Sequence, residues 1–185
     1  MVKDMTMGSP AKLIISFSLP LLVGNIFQQL YNMVDAVVVG RFIGTGALAA
    51  VGSTGAISFL VLGFIIGLTG GFSVVIAQRF GADDQDGLRQ AVAMSFYIGA
   101  GMTVVLTVVS VLLTHPLLRF MDTPSDIYAD AYIYIVIIFA GSGASVFYNL
   151  VSGVLRALGD SRTPLYFLIL SSLINVVLDL LFIVP

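Results

Sequence analysis

Two carboxylates stand apart from the rest of the chain because of their surroundings. All ten acidic residues are Asp, and only Asp35 and Asp179 fall inside long apolar stretches. An ionisable side chain in a bilayer-length apolar segment costs at least about 2.5 to 3.5 kcal/mol to bury, so it is a functional candidate by default. Neither stretch contains a Lys or Arg that would turn its Asp into a plain salt bridge. Asp35 closes a polar stripe of Asn25, Gln28 and Asn32, spaced by three or four residues and therefore on one helical face. Ser171, Asn175 and Asp179 repeat the pattern, as do Ser142, Ser145, Asn149 and Ser152. Three apolar helices with one polar face each are most economically arranged around a shared cavity.

The chemistry of such a cavity is ionic. Two carboxylates sharing a dry site repel, so a shared proton or a cation between them is expected. Asn175 lies one turn from Asp179 and offers an amide oxygen, a hard ligand suited to Na⁺, to which Asn149 and Asn32 can add others. Competition between that cation or proton and a substrate is the physical basis of antiport.

The elements that must position these residues are membrane helices. Hydrophobic residues make up 58% of the 185 and charged residues 10%, against roughly 25% charged in ordinary soluble domains. The fold class is all-α integral membrane protein. Five apolar spans follow one another, Leu13 to Val39, Phe42 to Gln78, Ala91 to Thr114, Ala131 to Leu155 and Thr163 to Pro185, each long enough to cross a bilayer. They predict helices over about 10–40, 47–79, 88–115, 124–156 and 164–185, with Phe42 to Ala47 in a short outer loop. Ser9-Pro10, Thr123-Pro124 and Thr163-Pro164 read as helix starts, a capping hydroxyl followed by proline in the first turn. Pro20 sits inside the first helix and should kink it. The first span is too long for the core of a signal peptide and is read as a retained helix.

Lys3, Lys12, Arg79, Arg89, Arg156 and Arg162 fall on one side of this arrangement, and Arg41 and Arg119 on the other. The bias places the N-terminus in the cytoplasm. The first and fifth spans then run in the same direction. Asp35 lies six residues before Arg41 and Asp179 six before Pro185, each about 9 Å below its marker, so the two can meet at one depth. Gly63, Gly67 and Gly71 form a small-residue stripe suited to close helix approach, and Gly99, Gly101, Gly141 and Gly143 suggest the same in the third and fourth spans. Tyr128, Tyr132 and Tyr134 are expected at the membrane interface.

Several function classes drop out. The chain has no Cys, which excludes thiolate chemistry and disulfides, and no Lys after Lys12, which excludes a phosphate-cradling Walker A loop. An intramembrane aspartyl protease would use two Asp, but its Gly-x-Gly-Asp pattern is absent. His115, the single histidine, stands beside Pro116 at an expected helix end and reads as a solvated loop residue. Nothing points to enzyme activity, an organic cofactor or a nucleic-acid partner; the partner of such a chain is the lipid bilayer.

The residues also resemble a known family. Leu19-Pro20, Asn25, the run from Gln28 to Asn32, Asp35 and Val39-Gly40 resemble the first helix of multidrug and toxic compound extrusion (MATE) transporters. The run from Leu155 to Pro164 resembles that family's loop between helices four and five, and Asn175 and Asp179 fit the helix that follows. The resemblance covers the chain in register and is strongest to the DinF-like branch. It implies a twelve-helix antiporter of two six-helix lobes in the bacterial plasma membrane, exporting cationic and amphipathic drugs in exchange for Na⁺ or H⁺. It further implies that Asp35, Asn175 and Asp179, with Asn149 nearby, form the cation or proton site. Gln28, Tyr31 and Ser172, with Asn32, would line the substrate cavity, and Pro20 would be a conformational kink linked to protonation. The chain ends at the fifth helix, so it is expected to be an incomplete N-terminal lobe, inactive without the missing C-terminal lobe. The alternatives are a lipid-intermediate flippase of the same superfamily, whose cavity would be expected to carry basic residues absent from these spans, and a structural or channel-forming subunit oligomerising through the glycines of the second span.

Overall fold

A computed structural model describes residues 9 to 183, which places Lys3 and the Pro185 marker outside the described residues. Those residues are helical almost throughout, as apolar chain in lipid must be, because the backbone's polar groups find partners there only within the helix. Helix α1 (Pro10–Val38) starts as expected, with Ser9 extended at the cap position and proline in the first turn, although the Ser9 hydroxyl makes no capping bond. It runs unbroken through Pro20 and continues as a π-helical turn, Val39–Ile43. Gly44 then reverses the chain at φ 120°, a conformation that side-chain-bearing residues rarely adopt. The outer loop expected over 42–47 therefore shrinks to this one glycine, and the next helix begins at Thr45.

The expected helix over 47–79 is two: α2 (Thr45–Ser53) and α3 (Gly55–Gly81). At the break, Ser53 and Thr54 turn their hydroxyls back onto the Ala50 and Val51 carbonyls, each at 2.8 Å, between Gly52 and Gly55. Hydroxyls that compete for helix carbonyls beside glycines favour an interruption. Helix α4 (Gln85–Phe120) is longer than the expected 88–115 and passes through Pro116. His115 is accordingly helical, and its Nδ1 lies 2.6 Å from the Tyr128 hydroxyl. The fourth expected helix, 124–156, starts later and is also divided. Thr123-Pro124 lies in a turn, α5 (Tyr128–Ala140) follows, and α6 (Ser142–Ala157) departs from it at 42° across Gly141. Helix α7 (Arg162–Ile183) is held at its start by Asp160, not Thr163: the Asp160 carboxylate accepts the Arg162 and Thr163 backbone N–H groups at 3.1 Å and the Thr163 hydroxyl at 2.7 Å. Among the described residues four helices are long and apolar enough to span a membrane, five counting the bent pair.

Helix α3 packs on α4 and α6, α4 on α5 and α6, α2 on α5, and α1 on α7. Ile57, Val61, Ile65, Leu118, Ile135, Phe139 and Leu150 form the centre. Gly99 receives Leu150 of α6 and Gly143 sits near Thr103 of α4, so two of the four glycines expected to pack in those spans admit a neighbouring helix. Gly63, Gly67 and Gly71 do not. No atom lies within 4 Å of where their Cβ would be, because α3 turns Ile57, Val61, Ile65 and Thr69 inward instead.

The α3–α4 turn is fastened by Asp84, which accepts the Gly87 backbone N–H at 2.9 Å and pairs with Arg79 at 2.8 Å. The Gly87 bond, with the Arg79 guanidinium beside it, holds this carboxyl below its ordinary value of 3.8. A depressed carboxyl contributes stability that is complete above its unfolded value and lost as pH falls through the lower, folded one. Protection of the Gly87 and Leu88 amides, taken relative to their intrinsic exchange rates, should therefore fall below about pH 3.8, and Asp84→Ala should show that lower protection at neutral pH.

Candidate ion-coupling site

The site rests on how α1 meets α7. A Cβ on buried Gly24 would lie 3.3 Å from Leu168 and 3.4 Å from Leu165, so the glycine is where α7 side chains seat against α1. Eleven residues further along each helix lie Asp35 and Asp179, near enough for each carboxyl group to feel the other electrostatically. The equal step on both helices means that α1 and α7 run parallel and in register. Both Asp side chains are only partly buried, yet Asp179 Oδ2 and Asn175 Oδ1 are enclosed and have no hydrogen-bond partner among the described residues. A buried oxygen without a donor is costly, and two of them one turn apart beside a second carboxylate make an acceptor cluster suited to a proton or a hard cation. Among the described residues no group of three or more His, Cys, Asp or Glu gathers as a metal site. A cation here would rest on two carboxylates and an amide.

Other expected members lie elsewhere. Asn149 donates from Nδ2 to the Ser145 carbonyl of its own helix at 2.8 Å, and no contact joins it to the carboxylates. Asn32 donates to Gln29 at 3.3 Å on an exposed face that also holds Asn25 and Gln28. The buried Ser172 hydroxyl is satisfied by the Leu168 carbonyl at 2.8 Å. Tyr31 is half-buried on α1. Tyr134 of α5 lies near enough to Asp35 and Tyr31 to feel them electrostatically. Two residues from Tyr132 is about 200° around a helix, so the two rings face different ways. Tyr132 is the one that stacks on His115, with ring centroids 4.7 Å apart.

Gly24 was not singled out in the sequence, and it yields a test that leaves both carboxylates intact. Gly24→Leu should push α7 off α1, costing roughly 1 to 3 kcal/mol of stability as overpacking does, and should weaken ion-dependent ligand binding. Gly24→Ala, needing a shift of only a few tenths of an ångström in two Leu side chains, should retain most of both. Thermal unfolding and ligand titration of the purified protein check this.

Comparison with known proteins agrees with this architecture. Residues 20–181 match the MatE family. The probable multidrug resistance proteins YpnP and YoeA of Bacillus subtilis strain 168 are 34% identical over 180 residues and 35% over 162. These alignments take in 97% and 88% of this chain but 40% and 35% of those proteins. The structure of an outward-facing multidrug resistance MATE transporter of the MOP superfamily superposes with a TM-score of 0.89 at 32% identity, over 96% of this chain and 39% of that one. The chain thus spans about 40% of the length of such relatives. It belongs to the MATE family of membrane transporters.

Proposed function

We propose that this chain supplies the ion-coupling half of a Na⁺- or H⁺-driven antiporter that exports amphipathic or cationic drugs, a transporter and not an enzyme. The observation that carries the reading is the proximity of Asp35 to Asp179, whose enclosed Oδ2, like Asn175 Oδ1, has no hydrogen-bond partner among the described residues. Relatives named as multidrug resistance proteins support the substrate class. In this reading a proton or Na⁺ offsets the repulsion between the carboxylates, and a cationic drug competes with it for the same negative charge. The two ligands then weaken each other's binding by the same factor. Gln28, Tyr31, Asn32 and Ser172 line the drug's path, Asn149 is an outlying member of the ion site, and Pro20 is a point of flexure. Rocking against a second lobe is needed for alternating access, so transport belongs to a protein with both lobes.

The test is stoichiometric. Adding a fluorescent organic cation to the purified two-lobed protein should release H⁺ into weakly buffered solution or displace bound radioactive Na⁺. Drug binding with no displacement of either ion refutes the proposal.

The proposed location is the bacterial plasma membrane with a cytoplasmic N-terminus. The chain is free of Cys, so a single cysteine introduced into it reports its orientation, with any Cys of the second lobe replaced by Ser. Asp126→Cys should react with an impermeant maleimide in intact cells, and Asp86→Cys only after permeabilisation. The reverse pattern would invert the topology.

A further inference from the structure

Away from the carboxylate pair, the end of α4, the turn after it and the start of α5 enclose an open cavity of about 440 Å³ lined by Arg119, Asp122, Thr123, Ser125 and Tyr128. Its depth in the membrane follows from α4 itself. Arg89 and Arg119 are 30 residues apart with no charged residue between them, which at 1.5 Å per residue is about 45 Å. That is the thickness of a bilayer including its headgroups, roughly 40 to 45 Å. If Arg89 marks one headgroup layer, Arg119 marks the other.

The two charged side chains of this cavity are unpaired. The Arg119 guanidinium and the Asp122 carboxylate form no ion pair or hydrogen bond among the described residues, whereas Arg79 and Asp84, at the opposite end of α4, pair at 2.8 Å. The Thr123 Oγ1 atom is enclosed and has no partner among the described residues. One cation, one anion and the Ser125 hydroxyl thus line one space, with the Tyr128 ring, its hydroxyl held by His115, at its side. Beside it Phe120, 89% exposed, presents an apolar surface.

We propose that this cavity binds the headgroup of a phospholipid carrying a primary amine, with the phosphate on Arg119 and the ammonium on Asp122. An anionic headgroup would meet Asp122 with like charge. A quaternary ammonium has no N–H to donate to the carboxylate and would find one aromatic ring here, Tyr128, where such cations favour a cage. The headgroup-level position and the exposed Phe120 make the ligand a bilayer lipid, with its acyl chains along the apolar surface, in preference to a soluble phosphate ester.

The two-lobed protein, reconstituted in nanodiscs, is tested with photoactivatable phosphatidylethanolamine, phosphatidylcholine and phosphatidylglycerol, and the labelled peptides are mapped by mass spectrometry. Phosphatidylethanolamine should label the 119–128 segment, with the other two lipids several-fold weaker. Arg119→Gln and Asp122→Asn should each reduce the label by about tenfold or more, the order expected for losing a charged hydrogen bond, while Arg119→Lys retains most of it. Both positions are exposed, and gel filtration verifies that each variant is folded. Absence of label in the segment, equal labelling by phosphatidylglycerol or phosphatidylcholine, or unchanged labelling in a folded Gln or Asn variant overturns the proposal. So does full protection by millimolar phosphoethanolamine or inorganic phosphate, which would make the ligand a soluble one.

Discussion

Asp179→Asn should abolish the influence of the coupling ion on drug binding while leaving the fold intact. The amide is nearly the same size as the carboxylate and can still pack against Asn175, so α7 keeps its seat on Gly24. What disappears is half of the negative charge that a proton or Na⁺ would offset. Couplings between two ligands are typically 1 to 3 kcal/mol, a 5- to 150-fold change in affinity; in the variant, drug affinity should change less than about twofold across the same Na⁺ or pH range. Asp35→Asn should do the same. Because the two carboxylates act as one unit, the double variant should be little worse than either single one. Titration of a fluorescent cation into the purified two-lobed protein, with and without Na⁺ at several pH values, measures each case. Ion dependence that survives in either variant would remove that Asp from the site.

Phe139→Ala should produce the largest loss of stability among the described core residues. Phe139 is fully buried near the end of α5, two residues from the Gly141 bend, in the cluster that includes Ala50 and Leu118. The usual water-to-core transfer does not apply, since lipid tails are as apolar as the core. What remains is lost packing. Removing roughly 100 Å³ at about 24 cal/mol per Å³ gives a cost of roughly 2 to 3 kcal/mol. Ile137→Ala, two residues away on a side chain 64% exposed, is the control and should change little. Thermal unfolding of both variants in the same lipid–detergent mixture checks the contrast; equal losses would mean that α5 packs through its other face.

The contrast between those neighbouring positions also explains what could and could not be read from the sequence. In a soluble helix the inward face is the apolar one, but here both faces are apolar. Nothing in the pattern distinguished Ile135, which is buried, from Ile137, which is not. The glycines suffered the same ambiguity: Gly63, Gly67 and Gly71 have the right spacing to receive a helix but face outward, while Gly24 receives one without belonging to any stripe. Helix breaks at Thr54 and Gly141 were hidden because hydropathy continues across them. Pro116 misled in the other direction, since α4 continues through it and carries His115 into contact with α5.

Charge was legible where hydropathy was not. An intramembrane Asp is rare enough that two of them on different spans constrain each other, and the pairing of Asp35 with Asp179 followed from polar spacing and depth. Amides were harder to place, because Asn can satisfy itself on its own helix, as Asn149 does through Ser145.

The most direct test of the central claim is export of a fluorescent organic cation by everted membrane vesicles carrying the two-lobed protein, driven by imposed Na⁺ or pH jumps. Wild-type protein should respond to one of the two gradients, and Asp35→Asn and Asp179→Asn, at equal membrane levels, should fall to the rate of empty vesicles. Gradient-driven export that persists in both variants would contradict the account and leave the paired aspartates a structural role.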